Sequence, residues 1–157
     1  MKIIKNTSAS YEYVVSVIFV SGNKVLMQLR DNKPGIFCPG YWCIPGGSVE
    51  EEDIKTAAIR EFKEETGYQL RNPKLFWIEY YRVTTERVVK AYRFFDIYDN
   101  LQPISCFEGQ KMKFLTLKEI AGLKLVPGQI EAIKKAIKLA ELGINNPKVH
   151  EIPFNEK

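Results

Sequence analysis

The sequence predicts an α/β fold in which a mixed sheet lies between helices. Segments rich in Val, Ile, Tyr and Phe come first, an amphipathic helix follows, and further strand segments lead to a last helix. This order fits a sheet covered by helices better than a helical bundle or an all-β sandwich. The chain of 157 residues is 45% hydrophobic, which suits one core. Since no repeat or linker divides the sequence, we expect one domain over residues 1–145 and a loose polar tail over 146–157.

The first strands are predicted to form a hairpin. Residues 11–20 and 24–30 have strand composition, and Ser21-Gly22-Asn23 between them is typical of a turn. Residues 31–41 are rich in proline and glycine and are expected to form a loop. A short strand over 42–44 is then expected to be broken by Pro45-Gly46-Gly47, because proline lacks a backbone donor and glycine permits unusual dihedrals.

Two helices are predicted from apolar periodicity. Within residues 52–66, Ile54, Ala58 and Phe62 recur every four residues and form one apolar stripe, and Gly67 is placed to end the helix. Residues 127–142 form the second helix segment, which Gly143 would end. Strands are expected over 74–83, 87–98 and 111–117.

Composition excludes several kinds of chemistry and partner. The net charge of +4 is mild and no dense Lys/Arg block occurs, so we expect no nucleic-acid polymer as partner, although a nucleotide would be tolerated. The three cysteines form no C-x-x-C pair and His150 is the only histidine, which argues against disulfide frameworks, zinc sites and Ser-His-Asp triads. Without an apolar run of roughly 20 residues or a cleavage signal, we expect no membrane association and a cytoplasmic location. The oligomeric state stays open between a monomer and a homodimer.

Three glutamates carry the strongest functional signal. At helical spacing, Glu61, Glu64 and Glu65 share one narrow face while Phe62 points to the core. Neighbouring carboxylates on a helix repel each other, and a hard divalent cation removes the conflict. Oxygen ligands without histidine favour Mg²⁺, with Mn²⁺ as a substitute. The alternative is a solvated helix face whose acids are offset by Arg60 and Lys63; the preceding Pro-Gly-Gly turn favours the metal, because it lets a backbone carbonyl approach an ion.

The segment from residue 46 to 68 resembles the Nudix box. That motif has a glycine, five residues, a glutamate, seven residues, Arg-Glu, a bulky apolar residue, any residue, Glu-Glu, any residue, glycine and a bulky apolar residue. The matching positions here are Gly46, Glu52, Arg60, Glu61, Phe62, Glu64, Glu65, Gly67 and Tyr68. In most family members the second glycine of the pair begins the pattern, so the loop here is one residue short. This departure leaves the roles of residues 50–53 open. The likeness covers roughly residues 11–140.

The resemblance implies a Nudix-type α/β/α sandwich and assigns roles at the matching positions. Glu61, Glu64, Glu65 and the Gly46 carbonyl would bind the metal, and one of the glutamates would help to activate water. Arg60 would orient the glutamates through charge-assisted hydrogen bonds. Glu108 resembles the family's late acidic residue and would bind metal or act as a base; the alternative is a solvated loop acid.

Substrate residues are predicted less directly. Arg30 follows a strand and is placed to meet phosphates, or else is a surface arginine. Aromatic side chains near the box are candidates for stacking on a base or for core packing: Phe37, Tyr41, Trp42 and Trp77. Cys38 and Cys43 have no histidine nearby to activate them and are interpreted as inert.

The expected activity is magnesium-dependent hydrolysis of a diphosphate linkage in a small nucleotide. Because the sequence around the box resembles MutT-like members, we expect a nucleoside triphosphate, oxidised purine forms included, cut to monophosphate and pyrophosphate. A nucleotide-sugar or ADP-ribose pyrophosphatase is the alternative enzyme. A non-catalytic nucleotide sensor is a further alternative, which the presence of all three helix glutamates disfavours.

Overall fold

A computed structural model describes residues 10–154 and contains one eight-stranded sheet with helices on both faces. The strands are β1 Ser10–Ser21, β2 Lys24–Leu29, β3 Trp42–Cys43, β4 Gly46–Ser48, β5 Lys74–Arg82, β6 Arg87–Ile97, β7 Lys111–Thr116 and β8 His150–Glu151. The helices are α1 Ile54–Thr66, α2 Leu117–Ala121 and α3 Ile130–Glu141. None of the helices within residues 10–154 is long and apolar enough to cross a membrane.

Strand β1 is the centre of the sheet. The strand order is β3-β2-β1-β6-β5-β8, with β4 also beside β1 and β7 also beside β2. β1 runs parallel to β6 along its length, whereas β5 and β6 are antiparallel. On its other edge β1 pairs first with β4 and then, at Val20 and Ser21, with β2. The long first strand therefore holds both the strand that leads into α1 and the hairpin strand β2.

Two hydrophobic cores form because side chains of β1 alternate between the faces of the sheet. Ile18 and Val20 pack on one face with Ile133 and Ile137 of α3. Val17 and Phe19 pack on the other face with Phe62 of α1. This arrangement confirms the predicted α/β/α sandwich with a mixed sheet.

The expected break at Pro45-Gly46-Gly47 is wrong in part. Pro45 separates β3 from β4, but both glycines belong to β4 and pair with Val15 and Ser16 of β1. A Cβ on Gly46 would lie 2.2 Å from the Val15 carbonyl oxygen, so the strand fits against β1 only without a side chain there. Glycine here permits a close approach of two strands rather than a turn.

Besides β4, two elements were not expected from the sequence. Helix α2 begins after Thr116, whose hydroxyl accepts from the Glu119 amide while the Glu119 carboxylate accepts from the Thr116 amide. In the expected loose tail, β8 pairs in parallel with β5, and the His150 ring lies 4.7 Å from the Trp77 ring. Part of the 146–157 segment is therefore packed against the sheet. Residues 1–9 and 155–157, which the predicted domain and tail include, lie outside the described residues.

A buried ion pair lies on the α3 face of the sheet. Arg93 donates to Glu79 and, at 3.0 Å, to the Ser16 hydroxyl, and the indole of Trp77 donates to Glu79 at 3.0 Å. Arg93 is 4% exposed and Glu79 is 8% exposed. The pair ties β5, β6 and β1 together in a position where an uncompensated charge would be costly.

Candidate functional site

Helix α1 has a fixed register because both of its ends are capped. Asp53 precedes the helix and its carboxylate accepts from the Thr56 amide at 2.9 Å. Gly67 ends it in a left-handed conformation, with φ of 76°, and its amide donates to the Lys63 carbonyl. Burial of Ala58 and Phe62 against the sheet then fixes the direction in which the glutamates of the helix point.

Arg60 joins the loop before α1 to the glutamates on the helix. Its guanidinium donates to Glu52, to Glu61 at 2.8 Å and to Glu64 at 3.3 Å, and also to the Ser48 carbonyl at 3.1 Å. These contacts assign roles in the shortened loop, because Glu52 is the partner of Arg60 and Asp53 is the helix cap.

Glu65 is the buried member of the cluster. It is 2% exposed, and its Oε2 has no hydrogen-bond partner among residues 10–154. Burial raises the pKa of Glu65 to about 10, and the neighbouring Glu108 and Glu61 carboxylates act in the same direction. Burial also raises the pKa of Glu61, although the hydrogen bond from Arg60 opposes this effect. Glu61 and Glu65 therefore both resist ionisation in the folded protein.

Strand β4 contacts the glutamates through a glycine. A Cβ placed on Gly47 would lie 2.3 Å from Glu61 Oε2, so any larger residue would displace the carboxylate. The close packing of both Gly46 and Gly47 explains why two consecutive glycines precede the acidic helix. The β4 backbone at Gly47 therefore lies directly beside the Glu61 carboxylate.

Glu108 reaches the same place from a distant loop. The amides of Ser105 and Phe107 donate to the carbonyls of Thr66 and Glu65, each at 2.9 Å, which attaches the loop to the end of α1. Glu108 follows directly and lies close enough to Glu65 to raise the pKa of that carboxyl. The structure therefore brings together Glu61, Glu65 and Glu108, while Glu64, with a side chain 58% exposed, faces solvent beside Arg60.

The cluster of Glu61, Glu65 and Glu108 has the oxygen ligands that a hard cation prefers, although these side chains do not yet converge on one point. Within residues 10–154, no three His, Cys, Asp or Glu side chains converge closely enough to hold an ion as they stand. Arg60 draws Glu61 and Glu64 toward itself, whereas Glu65 lies beneath them. The buried oxygen of Glu65 without a partner, and the nearby Glu61 and Glu108 carboxylates that raise its pKa, are the properties of an oxygen donor set for Mg²⁺ or Mn²⁺.

The predicted substrate residues border the loop over residues 31–41. Arg30 is half-buried and its Nε donates to the Phe37 carbonyl at 2.8 Å, so it holds the loop. Phe37 is 48% exposed, whereas Trp42 is partly buried with Lys111 Nζ 5.7 Å from its ring centre. Of these three residues, only Phe37 presents an aromatic ring widely to solvent.

Two further aromatic residues proposed to stack on a base make contacts within the protein instead. Trp77 is 7% exposed and its indole donates to Glu79, so it belongs to the core. Tyr41 lies under Lys124, whose Nζ is 4.3 Å from its ring centre. The Cys43 thiol is buried, and burial raises its pKa to about 11, which keeps it protonated.

Sequence reasoning missed three contacts that support the site. Asp53 and Thr56 have the spacing of a helix cap, a signal that the sequence does carry. The pairing of Glu52 with Arg60 spans eight residues across a loop and has no local signature. Gln28 contacts the Glu108 loop from β2, and nothing in the sequence near position 28 indicates this.

An α/β/α sandwich with a strand, a short loop and an acidic helix at its edge defines the NUDIX-domain class of proteins. The family model described as the NUDIX domain matches residues 10–136, so the chain belongs to this family of hydrolases. The predictions of Nudix membership, Nudix fold and hydrolase class are thereby confirmed. Nudix hydrolases generally use divalent metals and act on small nucleotide substrates.

Individual relatives have low sequence identity to this chain. The Nudix hydrolase YvcI of Bacillus subtilis is 27% identical over 121 residues, which cover 73% of this chain and 72% of that protein. The MutT protein of Methanosarcina mazei superposes with a TM-score of 0.70 at 20% identity, covering 87% of this chain and 99% of that one. A bifunctional NMN adenylyltransferase/ADP-ribose pyrophosphatase of Francisella tularensis, complexed with AMP and a manganese ion, gives a TM-score of 0.61 at 24% identity, covering 88% and 44%. These solved structures share the fold.

Proposed function

We propose that this protein hydrolyses the diphosphate linkage of a nucleoside diphosphate derivative with the help of Mg²⁺, for which Mn²⁺ can substitute. The observation that carries the proposal is the buried Glu65 carboxylate, which has an oxygen without a partner and lies beside Glu61 and Glu108. If Glu65 bound no ligand, it would only destabilise the folded state, because burial of a carboxyl without hydrogen-bond partners costs free energy.

The roles of the residues follow from their contacts. Glu61, Glu64, Glu65, Glu108 and the Gly46 carbonyl would hold the ion, which when bound neutralises phosphate charge and activates water. Arg60 fixes the direction of Glu61 and Glu64 from one side, and Gly47 leaves room for Glu61 on the other. Glu108 is the group best placed to exchange a proton with an attacking water, because it lies on an exposed loop beside the buried Glu65.

Substrate binding is proposed at the edge formed by Arg30, Phe37 and Trp42. Arg30 supplies a positive charge close to the loop, and the exposed ring of Phe37 supplies a surface on which a base can stack. Trp42 is partly buried and packs against the core on the α3 face.

We prefer a nucleoside triphosphate as substrate, with oxidised purine forms included, cut to a monophosphate and pyrophosphate. The MutT proteins among the structural neighbours support this choice. ADP-ribose or a nucleotide sugar is the second candidate, favoured by the pyrophosphatase of Francisella tularensis. We further propose a cytoplasmic enzyme that acts as a monomer or homodimer, with no membrane or nucleic-acid polymer as partner.

A substrate panel tests the function directly. Nucleoside triphosphates, 8-oxo-purine triphosphates, ADP-ribose and nucleotide sugars are incubated with Mg²⁺, and phosphate is measured with and without added pyrophosphatase and phosphatase. Pyrophosphatase-dependent phosphate release from triphosphates supports the preferred reaction, whereas phosphatase-dependent release from ADP-ribose supports the second. The matched pair of variants is Glu65→Gln in the site and Glu51→Gln on the exposed loop. Equal activity of both variants, or no turnover of any substrate by the wild type, would contradict the proposal.

A further inference from the structure

Gln28 is a buried polar residue that contacts the loop carrying Glu108. It lies on β2 and is 4% exposed. Its Nε2 donates to the Glu108 carbonyl at 2.8 Å, and its Oε1 lies 3.6 Å from the Cys43 sulfur, which donates to it. Both ends of the amide are therefore used, one to fix the rotamer and the other to hold the loop.

The loop is built around this contact. Gly109 follows Glu108 with a φ of +80°, a conformation that favours glycine. A Cβ on Gly109 would lie 2.6 Å from the Leu29 carbonyl and 3.0 Å from Gln28 Cγ, so the backbone passes directly over β2. The Gln110 amide donates to the Leu29 carbonyl at 2.8 Å. Cys106 adds a weaker thiol contact to the Glu108 carbonyl at 3.2 Å.

Glu108 thus stands between two anchors. On one side the amides of Ser105 and Phe107 are bonded to α1, and on the other Gln28 and Leu29 bind the loop to β2. The Gln28 bond is made to the carbonyl of Glu108 itself, and therefore fixes the direction in which the Glu108 side chain leaves the backbone.

We propose that Gln28 is a positioning residue for Glu108. It holds the backbone at Glu108 so that this carboxylate faces Glu61 and Glu65, and it touches neither substrate nor ion. The inference deepens the proposed function and rests on it. It also makes a separate claim about the loop, which can be measured without substrate or metal.

The first experiment measures the loop itself. Amide hydrogen exchange is followed by NMR in EDTA for Gln28→Met, which keeps the volume and removes the donor, and for Leu26→Val as the matched control. Leu26 lies on the same strand, is 2% exposed and packs in the α1 core, and its apolar side chain cannot make a hydrogen bond to the Glu108 loop. The Phe107 and Gln110 amides should exchange roughly ten-fold faster in Gln28→Met, the effect of losing one hydrogen bond. They should change in Leu26→Val only as much as the rest of the sheet.

The second experiment couples Gln28 to Glu108. Mn²⁺ binding to the free protein is measured by electron paramagnetic resonance, and kcat and KM are measured with Mg²⁺. Gln28→Met should weaken Mn²⁺ binding roughly ten-fold, as loss of a supporting contact around a metal ligand does. It should lower kcat while KM for the nucleotide stays within about two-fold. In a Glu108→Gln background the same substitution should add little to either change, because the residue it positions no longer carries its charge.

The outcomes separate this inference from the proposed function. If the wild type hydrolyses nothing on the panel, the proposed function fails, and the exchange of the loop amides still decides whether Gln28 holds the loop. Unchanged exchange at Phe107 and Gln110 would overturn the inference. So would exchange that rises uniformly as in Leu26→Val, or a loss of kcat that is equal with and without the Glu108→Gln background.

Discussion

Glu65→Gln should stabilise the protein in EDTA while it removes activity. At pH 7 a carboxyl with the ordinary pKa of 4.5 in the unfolded chain gains about 3 kcal/mol by ionising. In the folded protein, burial raises the pKa of Glu65 to about 10, so Glu65 stays protonated at pH 7. The folded state therefore does not gain the free energy of ionisation that the unfolded chain gains. Glutamine has nearly the same shape and does not ionise, so the substitution should raise the free energy of unfolding by up to about 3 kcal/mol.

The dependence on pH follows from the same two values. Because the folded pKa is raised, the folded protein holds a proton that the unfolded chain releases, and stability is lost as pH rises from 4.5 to about 10. The advantage of Glu65→Gln should therefore be small near pH 4. It should grow by about 1.4 kcal/mol for each pH unit above that.

The assay is a set of melting curves in EDTA at pH 5, 6, 7 and 8. A gain of about 3 kcal/mol at pH 7 corresponds to a rise in Tm of roughly 6–12 °C for a domain of this size. The control is Phe62→Ala, which removes a ring packed 5.0 Å from that of Phe19 and should cost about 3–5 kcal/mol. Phe62→Ala should keep more activity per folded molecule with saturating Mg²⁺. A Glu65→Gln protein that melts early at every pH and remains active would refute the assignment of Glu65.

Three other changes test neighbouring parts of the argument. Removal of divalent ions with EDTA should abolish hydrolysis and added Mg²⁺ or Mn²⁺ should restore it; full turnover in EDTA would exclude a metal mechanism. Glu108→Gln should lower kcat by roughly ten-fold to a thousand-fold as measured at saturating substrate, and unchanged kinetics with unchanged Mn²⁺ affinity would make Glu108 a surface acid. Glu79→Gln should cost about 3–5 kcal/mol in urea unfolding because Arg93 keeps its buried charge, and a neutral result would show that water reaches this pair.

Much of the fold could be predicted because its signals are local. The four-residue spacing of apolar side chains gives the direction of α1, and Gly67 gives its end. The capping box at Thr116 and Glu119 is equally local and would have predicted α2. By contrast, β8 has only two residues and exists because β5 offers an edge, so no local pattern could indicate it.

The residues of the site could be predicted from the sequence, but most of the contacts between them could not. Helical spacing places Glu61, Glu64 and Glu65 near one another, and it places Glu65, seven residues after Ala58, on the buried side of α1 and Glu64 on the opposite side. It cannot show that Glu108, from a loop much later in the chain, comes to lie beside Glu65. The pairing of Glu52 with Arg60 likewise depends on how the loop closes onto α1.

The position of β1 has a consequence for synthesis on the ribosome. Its parallel partner β6 pairs Arg87 with Ser10, so one edge of β1 has no partner in the nascent chain until β6 has left the exit tunnel. Ribosomes that stall before β6 should therefore release chains with an open strand edge, which are prone to aggregate.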